Sequence, residues 1–138
     1  MLEFNLFLID YWYFSVPLFF FIFLFAFSEM NKGGKKIEPN ELTRLVNKEN
    51  AILIDLRKKE DYENGHIMTA LNYPHQEFDN QMHELNKFKD RPIILVCDMG
   101  RNSANIGEKL KKAEFEKTFR LNGGMMTWTQ ENLPVVQK

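Results

Sequence analysis

From Tyr11 to Phe27 the chain runs seventeen residues without a charge, and nine of its thirteen phenylalanines fall within the first 27 positions. A helix this apolar on every side has to be covered on every side, and what remains of a 138-residue chain cannot supply that cover. The segment therefore reads as a membrane span, not as a core helix. A spanning helix takes roughly 20 residues, with a range of about 17 to 25, so the run suffices with Asp10 and Ser28 at the two interfaces. Tyr11, Trp12 and Tyr13 form an aromatic belt at one end, and Pro17 is tolerated in a span. The start, Met1-Leu2-Glu3-Phe4, has no basic residue, and Phe25-Ala26-Phe27-Ser28 offers no small-residue cleavage site, which makes the segment an anchor and not a cleaved signal. Lys32, Lys35 and Lys36 follow the span and nothing basic precedes it, so the N-terminus is expected outside and the rest on the cytoplasmic side of a single-pass inner-membrane protein.

The expected layout is an anchor over residues 1–28, a short basic tether over 29–36 made flexible by Gly33-Gly34, and one domain over 37–138. The net charge of −1 gives no basic surface for nucleic acid. A single cysteine excludes an internal disulfide, and no histidine or acidic cluster stands at metal-ligand spacing, so neither a metal nor another cofactor is expected. His75 and His83 lie among polar residues and read as solvated.

Within the domain, Pro39-Asn40-Glu41 marks a helix start, with Leu42, Leu45 and Val46 on one face. Ala51–Asp55 reads as a buried strand, Lys58–Asn64 as a short helix capped by Gly65, and Leu71–Tyr73 as a short strand before Pro74. The stretch from Gln76 to Phe88 reads as one helix carrying Phe78, Met82, Leu85 and Phe88. Ile93-Ile94-Leu95-Val96 is a strand buried on both faces, followed by a helix from about Arg101 whose apolar side is Ala104, Ile106, Leu110 and Ala113. Thr118–Leu121 is the last strand, and Gly123-Gly124 opens a final helix through Trp128. Strands alternating with helices specify an α/β fold with a mostly parallel central sheet covered by helices on both faces.

The lone cysteine, Cys97, stands at the carboxyl end of the Ile93–Val96 strand and at the entrance to a helix. Sites in open α/β sheets lie at the carboxyl ends of strands, and the unpaired amides of a helix N-terminus favour an anion such as a thiolate. Gly100 permits a turn that aims successive N–H groups inward around the sulfur, and Arg101 adds a positive charge. The plainer account is a small apolar residue closing a core strand.

Cys97-Asp98-Met99-Gly100-Arg101-Asn102-Ser103 resembles the active-site loop of the rhodanese-like sulfurtransferases. Asp55-Leu56-Arg57, Tyr62, Gly65-His66-Ile67, Ala70, Asn72 and Pro74 are similar to the family's first signature, and Gly123-Gly124, Trp128 and Leu133-Pro134 to its last. In the family's order these cover nearly all of residues 37 to 138, and with the span they suggest a membrane-anchored, single-domain bacterial member. Met68-Thr69 replaces the usual Pro-Gly, and Asn102 stands where many members carry arginine.

The resemblance implies transfer of a sulfane sulfur, from a small donor or a protein persulfide to a thiol acceptor, through a persulfide on Cys97 as catalytic nucleophile. Asp98, Met99, Gly100, Arg101, Asn102 and Ser103 would form the anion cradle, with Ser103 either donating a hydrogen bond to it or capping the helix. Asp55 and Arg57 would be supporting framework. A related cysteine phosphatase is disfavoured, because its loop closes on an arginine at the position held here by Ser103. The reading from another class is a non-catalytic membrane-tethered interaction module, with membrane proteins as partners of the span and the bilayer contacted through residues 11–27.

Overall fold

The computed structural model describes residues 1–30 and 33–137, with Met30 described by its backbone alone. It separates into two units, Met1–Asn31 and Lys32–Lys138. The first is helical: α1 over Leu2–Asp10 and α2 over Trp12–Met30, with Tyr11 between them leaving helical geometry at φ −113° and ψ 36°. Pro17 lies inside α2. Its stretch Trp12–Glu29 has a mean hydropathy of 1.6 and no buried residue, making this one helix long and apolar enough to cross a membrane. The separate helix α1 was not foreseen.

The second unit is a five-stranded sheet in the order β1-β5-β4-β2-β3, all pairs parallel, formed by β1 (Lys35–Ile37), β2 (Ile52–Asp55), β3 (Leu71–Asn72), β4 (Ile93–Val96) and β5 (Thr118–Leu121). Helices α3 (Pro39–Glu49), α4 (Lys59–Asn64), α5 (Phe78–Gln81) and α6 (Arg101–Lys112) connect the strands, with a 3₁₀ helix over Met82–Phe88 continuing from α5, and α7 (Gly124–Gln130) follows β5. The alternation of a strand divides β4 between two cores. Ile94 and Val96 face Leu42, Leu45, Met125 and Trp128, while Ile93, Leu95 and Cys97 face Phe78, Leu85, Ile106 and Leu110. All four residues of β4 are buried, so its continuous apolar run is what a central parallel strand covered on both sides requires.

Two expectations change. The tether ends earlier than residue 36: Lys35–Ile37 is a strand paired with β5, and Gly33 and Gly34 are buried in the domain. Lysines disguise this strand because it forms a sheet edge, where exposed charge is tolerated and deters edge-to-edge pairing. Lys32, one of the three lysines of the orientation argument, lies outside the described residues. The helix expected over 76–88 divides into α5 and the 3₁₀ segment. Met82, Leu85 and Phe88 recur every third residue, and at three residues per turn they eclipse into one strip against the core.

Candidate active site

Cys97 follows the last residue of β4 and is 2% exposed. Its Sγ accepts the Gly100 N–H at 2.8 Å. Gly100 holds φ 92° as the N-cap residue of α6, so the loop turns back on the sulfur before the helix begins. Among the described residues this is the one backbone amide of the 98–103 loop bonded to the sulfur in the resting arrangement. Asp98, Met99 and Arg101 are exposed.

Ser103 departs from both of its expected roles. It is buried, and its Oγ–H donates to Gly100 O at 2.8 Å, pinching the loop closed and neither reaching the sulfur nor capping the helix. Asn102 is half-buried with Nδ2 3.5 Å from His75 Nδ1. His75, expected in solvent, is half-buried because its N–H bonds Leu56 O at 3.0 Å and its Nδ1 lies 3.2 Å from the same oxygen. That anchors the segment after β3 to the end of β2, beside the cysteine loop.

The loop is held from behind by the start of α7. Met125 N–H donates to Cys97 O at 2.7 Å and Met126 N–H to Asp98 O at 3.0 Å. Gly124 makes this approach possible: its φ is 59°, and a Cβ there would lie 2.1 Å from Cys97 O. Gly124 therefore shapes the site directly, which a helix-start reading of Gly123-Gly124 understates. Trp128 is a core residue whose Nε1–H donates to Pro134 O at 3.0 Å.

Asp55 and Arg57 are brought together at the end of β2. Asp55 is fully buried and accepts Arg57 Nε at 3.0 Å, Arg57 Nη2 at 2.8 Å and the Arg57 backbone N–H at 2.9 Å. Arg57 Nη2 also donates to Gly65 O at 2.7 Å, and Asn72 Nδ2 to Arg57 O at 2.9 Å. His66 stacks on Tyr62 with ring centroids 3.7 Å apart, and burial, then the Asp55 charge, pushes the Tyr62 phenol above its ordinary value. These residues tie β2, α4 and β3 together.

One charged residue near the sulfur escaped the sequence reading. Arg120, in the middle of β5, is 5% exposed. Burial lowers its guanidinium from the usual range, and the Cys97 charge acts in the opposite sense. The signal available in the sequence was a lone cation inside the strand Thr118–Leu121.

The Rhodanese-like domain family model matches residues 38–131. The uncharacterized protein YibN of Escherichia coli K12 is 38% identical over 113 residues, covering 81% of this chain and 79% of the relative. The thiosulfate sulfurtransferase GlpE of Shewanella oneidensis is 26% identical over 98 residues, 71% of this chain and 95% of GlpE. The crystal structure of a rhodanese-related protein from Thermoplasma volcanium superposes with a TM-score of 0.68 at 23% identity, covering 75% of this chain and 99% of that one.

Proposed function

The chain belongs to the rhodanese-like domain family, and on that premise we propose that it is a sulfurtransferase that carries sulfane sulfur as a persulfide on Cys97. The observation that carries this reading is the Gly100 N–H aimed at the Cys97 sulfur at 2.8 Å, in a loop joining the central strand to a helix N-terminus. A donor amide there stabilises negative charge on sulfur before, during and after transfer. The activity printed for GlpE, thiosulfate sulfurtransferase, supplies the donor class to test first.

In the first half-reaction the Cys97 thiolate attacks the outer sulfur of thiosulfate. A bond forms between the two sulfurs, the donor's S–S bond breaks, and its electron pair leaves with sulfite, so Cys97 holds an anionic persulfide. In the second, cyanide or an acceptor thiolate attacks the terminal sulfur and the electron pair returns to Cys97, leaving thiocyanate or a new persulfide. Sulfur and charge balance in both halves. Asp98, Met99, Gly100, Arg101, Asn102 and Ser103 form the cradle wall, and the buried Asp55–Arg57 pair supports it from β2. The domain works as a membrane-anchored unit, with α2 as a single inner-membrane span and the catalytic domain on the cytoplasmic side.

Incubated with thiosulfate, the full chain in detergent should gain the mass of one sulfur atom, and cyanide should remove it as thiocyanate. Cys97→Ser should abolish both, because an alcohol is a far poorer nucleophile near neutral pH. The burial of Cys97 in the resting loop favours a second reading, a tethered interaction module whose cysteine is only a core residue. A folded protein that accepts no sulfur from thiosulfate or from a protein persulfide would decide for that module.

A further inference from the structure

Side chains alternate across a strand, and register partners on adjacent strands share a face. Leu95 of β4 is paired with Arg120 of β5, and Cys97, two residues beyond Leu95, stays on that face. Leu95 and Cys97 pack there against Ile106 and Leu110 of α6. Arg120 is thus a guanidinium set into an apolar sheet face beneath the start of α6. It lines a cavity of about 160 Å³ together with Lys36, Met99, Gly100, Ser103 and Asn122, directly behind the cysteine loop. Among the described residues the guanidinium makes one hydrogen bond, Nε–H to Gly34 O at 3.1 Å, and no carboxylate pairs with it.

A buried cation without a carboxylate is costly unless an anion answers it. The charged groups around this face leave one candidate. Asp98 and Arg101 of the loop are exposed, Lys36 of β1 has the same sign, Glu38 just after β1 is exposed and accepts Asn122 Nδ2 at 2.8 Å, and the Asp55–Arg57 pair at the end of β2 is closed on itself. Cys97 remains.

We propose that Arg120 is a positioning residue for the sulfur-carrying cysteine: from beneath the loop it supplies the counter-charge for the Cys97 thiolate and for its persulfide. This rests on the sulfur-carrier reading for the persulfide, but not for the thiolate. It accounts for a family member that has Asn102 in its loop, since the fixed positive charge comes from the neighbouring strand.

The test compares Cys97 alkylation by anionic iodoacetate and neutral iodoacetamide, using the full chain in detergent at neutral pH. Loop opening and thiolate fraction affect both reagents alike, so the ratio of the two rates reports the charge beside the sulfur. In the unmutated protein the iodoacetate/iodoacetamide ratio should exceed that of free cysteine and persist near 1 M salt, where a Debye length of about 3 Å screens an exposed cation. Arg120→Gln should lower the ratio at least about tenfold, and Arg120→Lys should restore most of it. A ratio no greater than that of free cysteine, or one abolished by salt, overturns the proposal without any variant. So does an unchanged ratio in a folded Arg120→Gln protein. Sulfur uptake from thiosulfate, measured on the same preparations, separates the two readings. Uptake with an unaltered ratio in Arg120→Gln defeats the role of Arg120 alone, whereas a responsive ratio without uptake defeats the sulfur-carrier reading alone.

Discussion

At the scale of single residues, the site depends on groups that are buried and paired. The Asp55 side chain is 1% exposed and that of Arg57 9%, and their contact is bidentate at 2.8 to 3.2 Å. Removing one partner of such a pair strands the other charge in a dry environment, which is far more destabilising than losing the pair altogether. Arg57→Met should therefore lower stability by about 3–5 kcal/mol in chemical denaturation. Adding Asp55→Asn should recover part of the loss, because an amide oxygen still accepts the Arg57 backbone N–H. A loss below about 1 kcal/mol would mean that the pair is solvated and ties nothing. That Asp55 and Arg57 are structural ties was expected from their place at a strand end, but that they bond each other is decided by the fold. That Ser103 turns to Gly100 O was not legible, because a serine at a helix entrance has several equally good acceptors until the loop's path is known.

At the scale of elements, the boundaries of β4, α6, β5 and α7 were legible because each has a clear period or a glycine at its edge. The segment over 78–88 was not, since Met82, Leu85 and Phe88 suit one face of an α-helix about as well as the strip of a 3₁₀ helix. Packing resolves it, with Leu85 fully buried among Phe78, Leu110 and Phe115. Leu85→Ala should cost about 2–5 kcal/mol, read as a shift in the denaturation midpoint, because it leaves a cavity under the short helices. A shift worth less than about 1 kcal/mol would show that these helices collapse onto the sheet without it.

At the scale of the whole chain, the orientation of the proposed span is open to a direct test. Cys97 is a poor reporter because it is buried, whereas Lys117 is exposed. In a Cys97→Ser background, Lys117→Cys should resist a membrane-impermeant maleimide in intact cells and react once the membrane is opened. Labelling in intact cells would reverse the assigned orientation.

Hydrophobic pattern alone separates the apolar N-terminal helix from the domain, marks the parallel α/β alternation and sets the lone Cys97 at the end of a buried strand, because these depend on local period. The surroundings of the sulfur are a matter of the assembled sheet. The Lys35–Ile37 edge strand and the contact of Gly124 with Cys97 O join residues far apart in sequence, as does the placing of Arg120 on the cysteine's face. Only strand order and register can set such neighbours, and both come from the tertiary packing of the two cores.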